Sequence, residues 1–311
     1  MSAPRILYIT GKGGVGKTTV TAALARQAAR RGLRTIVAEP AGAARLPALF
    51  GVASHGYTPT PLRPNLFSIS ITPEEAMEEY VVQQVRFRRL YRMVFRNRVM
   101  GPFVDGVPGL HDGVTLGKVF DLERSTEGGR RTWDLIIVDA PATGHGLSLL
   151  SSARAMMQLT RVGPLYEGNR MVDERLSDPR VTGIVMVALP EELPVSETLD
   201  LWAKLGDRRA QVRLCVLNQC MSEPLPTGIA WHDVREGVTC ATEAGPELAA
   251  MMDALVGRHA QQKTAVERLE SSLPIPVVQL PAMAARDLSP ADMDRLGAPV
   301  AAALLGAGAG P

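Results

Sequence analysis

The chain has 311 residues, enough to bury a large core as one big α/β domain or two smaller ones. Apolar residues at 46% and charged residues at 21% suit a soluble globular protein, and a formal net charge of +2 is too small to argue for nucleic acid. Three cysteines (Cys215, Cys220 and Cys240) with no C-x-x-C argue against a disulfide framework and for a reducing, cytoplasmic setting. No run approaches the ~18 apolar residues of a spanning helix. The apolar run Ile6–Ile9 is far too short for a signal-peptide core.

In chain order, Ile6–Thr10 reads as a short buried strand followed by a glycine-rich turn. Thr18–Arg31 is rich in alanine and predicts a helix, with Gly32 as its C-cap. Further strands are expected within Arg34–Ala38 and at Leu66–Ile71, Trp133–Asp139, Val181–Leu189, Val212–Leu217 and Ile275–Leu280. Helical patterns lie between them. The expected fold is therefore α/β, a doubly wound, mostly parallel sheet covered on both faces. Two segments break the plain alternation: about 73–127, with a helical pattern over Glu74–Met100, and about 146–179. They predict a helical subdomain at the C-terminal edge of the sheet, within a single domain over 1–311. Ser222–Gly237, with Pro224, Pro226 and Gly228, reads as a long loop, and 306–311 as a frayed low-complexity tail.

Gly11-Lys-Gly-Gly-Val-Gly16-Lys17-Thr18 fits G-x-x-x-x-G-K-[ST] between a predicted strand and a predicted helix, the context that gives the pattern meaning. Glycines let backbone N–H groups of Gly11, Lys12, Gly13, Gly14, Val15 and Gly16 converge on phosphate oxygens, and the helix N-terminus adds a favourable dipole. Lys17 is expected to neutralise the β- and γ-phosphates of ATP, the Thr18 hydroxyl to ligate Mg²⁺, and Thr19 to complete the loop. Ile136-Ile-Val-Asp139 ends a buried strand in a carboxylate, where P-loop enzymes place the Asp that holds Mg²⁺, usually through water.

Lys12 is not required by the basic phosphate loop. The pattern K-G-G-x-G-K-[ST] resembles the deviant loop of the ArsA, MinD and ParA ATPases and of the nitrogenase iron protein. That resemblance implies a lysine reaching across a homodimer interface to the partner's ATP, in a role like an arginine finger. Asp139-Ala-Pro-Ala-Thr-Gly-His145-Gly-Leu-Ser-Leu-Leu150 resembles the second switch, D-T-A-P-T-G-H-T-L-R-x-L, of the ArsA and tail-anchored-protein-targeting (GET) ATPases. Pro141, Thr143, Gly144 and His145 are accordingly the switch residues. The first switch is similar to Glu39-Pro40-Ala41, where the family has D-P-A and uses the Asp to place the attacking water; Glu39 is one methylene longer, which implies a shifted water or slow hydrolysis. Leu189-Pro-Glu-Glu-Leu-Pro-Val-Ser-Glu197-Thr198 resembles a further family segment, and Val216-Leu-Asn218-Gln219 its adenine-reading strand end, making Asn218 the adenine candidate. Pro281–Arg286 stands where the family has a second adenine-side loop.

The resemblance implies an ATP hydrolase of the ArsA/GET type that opens and closes as a homodimer, or with a paralogue, to handle a protein client. The competing class is a positioning switch like MinD and ParA. A synthetase of the dethiobiotin kind shares the loop but not Pro-x-Thr-Gly-His. All three cysteines lie after residue 214, outside the region where arsenite-pump members hold metalloid, and Cys215-x₄-Cys220 does not reproduce the GET zinc clasp. No zinc, iron–sulfur or metalloid site is therefore expected. Arg86, Arg88, Arg89, Arg92, Arg96 and Arg98 make a basic stretch suited to peripheral contact with an anionic membrane or an acidic partner.

Overall fold

A computed structural model describes residues 3–40, 45–85, 110–141, 143–283 and 288–306. Several expectations fall on other residues: Ala41 of the first switch, the helical pattern beyond Val85 with its basic stretch Arg86–Arg98, Arg286, and all of the tail beyond Gly306. Within the described residues, the centre is an eight-stranded sheet in the order β10-β9-β8-β1-β7-β2-β4-β3. Its strands are β1 (Ile6–Gly11), β2 (Thr35–Pro40), β3 (Thr60–Arg63), β4 (Leu66–Ile71), β7 (Leu135–Asp139), β8 (Thr182–Ala188), β9 (Val212–Cys220) and β10 (Val277–Pro281). A separate two-stranded hairpin pairs β5 (Thr126–Glu127) with β6 (Arg130–Arg131). Every pairing in the large sheet is parallel except that of β3 with β4.

Seven strands match the sequence expectation. Edge strand β3 does not appear in it, because Pro61 and a four-residue length leave little β signal, and pairing with β4 supplies what local propensity lacks.

Alternation sorts the strand side chains into two cores. Leu7, Ile9, Val37, Ile137, Val185, Val187, Leu214 and Val216 face α1 (Lys17–Arg30) and α10 (Pro290–Leu305). Ile6, Tyr8, Ile36, Ala38, Ile136, Val138, Ile184 and Met186 face the other core. That second core receives α3 (Pro73–Val85), α4 (Leu110–Arg124), α5 (Thr143–Thr160), α6 (Pro164–Ser177), α7 (Glu192–Lys204) and the C-terminal half of α9 (Gly245–Ser272). A helix α8 (Trp231–Ala241) precedes α9, so the segment expected as a loop over Ser222–Gly237 turns helical at Trp231. The proline and glycine signals end at Gly228, and Trp231 and Arg235 both bind Asp253 of α9, which fixes the helix by tertiary contact.

Strand β1 sits between β8 and β7, and the chain winds outward from it in both directions. The crevice at such a reversal, beyond the C-terminal ends of the strands, is where open α/β sheets place their ligands. The glycine-rich loop leaves β1 there.

Candidate functional site

The loop from Gly11 to Thr18 is shaped by positions where only glycine fits. Gly11 has φ +153, and a Cβ on it would lie 2.2 Å from the carbonyl oxygen of Val187. Gly16 adopts φ +88, the left-handed region, and is the N-cap residue of α1. No side chain caps α1, and its first turn holds no acidic residue. The N–H groups and positive dipole end of the helix are thus left for an anionic ligand. Val15 anchors the loop by burying its side chain beneath it, while Lys12, Gly13 and Gly14 stand exposed.

Lys17 opens this helix, and Asp139 is bonded to its first turn. Lys17 Nζ donates to the carbonyl of Lys12 at 2.7 Å. Burial pulls the Lys17 ammonium below its ordinary pKa, and the charge of Asp139 pushes back. Thr18 Oγ1 donates to Asp139 Oδ2 at 2.7 Å, and Thr21 Oγ1 to Oδ1 at 3.4 Å. Burial raises the Asp139 carboxyl above the usual range, against the hydrogen bond from Thr18 and the charge of Lys17. A hydroxyl and a carboxylate side by side, all oxygen, next to a phosphate-ready helix end, form a donor set that fits a hard divalent cation such as Mg²⁺. Thr19 is half-buried on the first turn of α1. Thr21 was not among the expected site residues; its spacing of three from Thr18, on one helix face, was the available signal.

Glu39 is the penultimate residue of β2 and is 2% exposed. Its Oε1 accepts from the backbone N–H groups of Arg45 at 2.8 Å and Leu46 at 2.9 Å, at the start of the short helix α2 (Arg45–Leu49). Its Oε2 is buried with no partner among the described residues. Burial, opposed by those two hydrogen bonds, pushes its pKa up to about 7. The longer side chain thus caps a neighbouring helix.

Asn218, on β9, is buried, and its Nδ2 donates to the Val15 carbonyl at 3.0 Å. The amide expected to read adenine is therefore turned onto the underside of the phosphate loop. Pro141 is half-buried just past β7, and Thr143, Gly144 and His145 form the first turn of α5. The side chains of those last three residues, like Ala142 and residues 41–44, lie outside what the structure describes.

Lys12 is held by a residue the sequence argument quoted without assigning a role. Its Nζ lies 2.7 Å from Glu197 Oε1 on α7. Both groups retain exposure, 46% for Lys12 and 27% for Glu197. The cysteines lie away from this cluster and are unpaired: Cys215 and Cys220 are buried in β9 and Cys240 is exposed on α8. No group of three or more His, Cys, Asp or Glu side chains suited to a metal occurs among the described residues. No helix among them is long and apolar enough to cross a membrane.

Comparison with known proteins identifies a family. The sequence profile of the family described as anion-transporting ATPase (ArsA_ATPase) matches residues 4–165. ATPase BagA of Mycobacterium tuberculosis is 27% identical over 267 residues, covering 82% of this chain and 75% of that protein. ATPase GET3 of Podospora anserina is 24% identical over 259 residues, 70% of this chain and 73% of that one. A putative arsenical pump-driving ATPase of Chlorobaculum tepidum is 32% identical over 148 residues, 47% of this chain and 35% of its own length.

Proposed function

The chain belongs to the ArsA-type anion-transporting ATPase family and is an ATP hydrolase, and from that premise we propose that it hydrolyses Mg·ATP at the interface of a homodimer, opening and closing to handle a protein client. The observation that carries this reading is the division of labour between two lysines of one loop. Lys17 turns inward, onto the loop carbonyl and towards the charge of Asp139. The ammonium of exposed Lys12 is bonded instead to a residue of α7, at the rim of the site. A lysine beside the phosphate loop that is not needed by its own nucleotide is free to serve a partner's.

In this reading Lys17 and the N–H groups of Gly13 to Thr18 bind the β- and γ-phosphates, and Asn218 keeps the loop in shape from beneath while the base lies nearby. Thr18, and Asp139 through water, would hold Mg²⁺, which would supply positive charge to the triphosphate. Asp139, whose burial disfavours its charge, gains most from that cation. Glu39 lies at the adjoining strand end and supports the first switch by capping α2. Lys12 of the partner supplies positive charge to the γ-phosphate; a group in that role is worth about 10³–10⁵ in rate. Pro141 to His145 lead from Asp139 into α5, so a shift there on loss of the γ-phosphate carries into helices α3–α6, the subdomain expected over 73–127 and 146–179.

The arsenical cargo named for some relatives does not transfer to this reading. Burial pushes the Cys215 thiol up to about 12 and that of Cys220 up to about 11, which keeps both protonated and poor ligands for a soft metalloid. Both also lie on β9, in the sheet rather than on a helix.

Light scattering with and without Mg·ATP, alongside turnover, tests the reading. Wild type is expected to dimerise with Mg·ATP, and Lys12→Ala to bind ATP yet lose most of its turnover. A monomer at saturating Mg·ATP, with Lys12→Ala turning over normally, overturns it.

A further inference from the structure

We propose that Glu197 is a positioning residue for Lys12, a latch that keeps the trans-acting lysine in its own protomer until nucleotide occupies the loop. This rests on the sandwich reading above and adds a control step to it. Glu197 stands on a fixed support: neighbours Val195, Thr198 and Leu201 are buried and seat α7 against the sheet. Lys12 stands on a pliable one, followed directly by exposed Gly13 and Gly14. The ion pair therefore holds the loop side chain to a rigid frame rather than the reverse.

The same peptide unit ties the pair to nucleotide. The carbonyl of Lys12 accepts from Lys17 Nζ at 2.7 Å while its side chain is held by Glu197 at 2.7 Å. Both loop lysines are satisfied within one chain. Arriving phosphate offers Lys17 an anionic acceptor, which outcompetes a neutral carbonyl. Its departure frees the backbone of Lys12, and the glycines after it let that residue swing. Lys12 then exchanges one carboxylate for the several negative charges of a partner's triphosphate. Because the Lys12–Glu197 pair is partly exposed, it biases the lysine without trapping it.

The test measures the Mg·ATP concentration giving half-maximal dimer, by light scattering, together with ATP turnover, for wild type, Glu197→Gln and Lys12→Ala, at about 0.05 M and about 1 M salt. At low salt Glu197→Gln is expected to dimerise at an ATP concentration about two- to five-fold lower than wild type, the range an exposed pair supplies. At about 1 M salt, where screening reaches ~3 Å, the two proteins are expected to converge. A packing defect in α7 would instead persist at both salts. Identical midpoints at low salt, a Glu197→Gln midpoint higher than wild type, or a difference that survives high salt overturns the latch. These failures are distinct from failure of the sandwich itself: if wild type never dimerises with Mg·ATP and Lys12→Ala turns over normally, both fall; if wild type dimerises and Lys12→Ala is slow, only the latch is at stake.

Discussion

A Cβ on Gly16 would lie 2.3 Å from the side-chain nitrogen of Asn218, which itself donates to the carbonyl of Val15 one residue earlier. A residue more than 200 positions away thus holds the phosphate loop and leaves no room for a side chain at Gly16. Asn218→Ala is expected to leave the buried Val15 carbonyl without its partner and to lower stability by about 1–3 kcal/mol. Gly16→Ala is expected to lose ATP binding, since it adds both a clash and a strained left-handed φ. The double variant should recover part of the stability lost by Gly16→Ala, because removing the amide removes the clash. Denaturant unfolding of the four proteins measures this coupling, and strict additivity would contradict it.

Lys17 and Asp139 should separate binding from turnover. Lys17→Ala is expected to abolish measurable ATP binding by calorimetry, because the uncapped end of α1 then lacks its one cation from the loop interior. Asp139→Asn keeps the hydrogen-bonding geometry with Thr18 while removing the charge. It should still bind ATP without magnesium, gain little affinity when magnesium is added, and turn over about 10²-fold or more slowly. Equal magnesium dependence in Asp139→Asn and wild type would remove Asp139 from the metal site.

The helix pair behind the loop makes a prediction about stability alone. A Cβ on Gly297 of α10 would stand 2.3 Å from the carbonyl oxygen of Ala23 on α1. The same crossing is bound by Asp294, which receives Arg26 and Gln27, each at 2.9 Å. Gly297→Ala should improve helix propensity by about 1 kcal/mol, yet force the two helices apart. The expected net loss is about 1–3 kcal/mol, the range of overpacked cores. Thermal unfolding measures it, and a rise in Tm would show that α10 shifts without strain.

These relationships mark where the sequence stops being informative. The loop Gly11–Thr18, the Asp at the end of β7 and seven strands are legible because each rests on contiguous residues with a strong local pattern. What escapes is long-range. Nothing local in Glu197 says that it meets Lys12, and nothing local in Asn218 says that its amide reaches Val15 of the phosphate loop. Helix α8 and strand β3 escape for the same reason, since tertiary partners stabilise a helix that follows a proline- and glycine-rich stretch and a strand that contains Pro61. Glu39 is the instructive middle case. Its position at the strand end is legible, but its bonds to the N–H groups of Arg45 and Leu46 depend on how the chain returns.

Glu39 also gives the molecule a pH dependence whose direction follows from its burial. Its carboxyl titrates in the fold near pH 7, against about 4.5 when free. Below about pH 4.5 it is protonated whether the chain is folded or not, and it contributes no penalty. As pH rises, the unfolded chain ionises first, so the folded state loses stability until Glu39 itself ionises; above pH 7 the full penalty, on the order of 3 kcal/mol, is in place. Glu39→Gln keeps an oxygen for the N–H groups of Arg45 and Leu46 but cannot ionise. Relative to wild type, the variant is therefore expected to gain up to about 3 kcal/mol in unfolding free energy between pH 4.5 and pH 8. Denaturant unfolding across that window reads the difference. A gap that stays constant with pH would mean that Glu39 ionises in the fold as it does in water, and that Oε2 reaches solvent through a motion of α2.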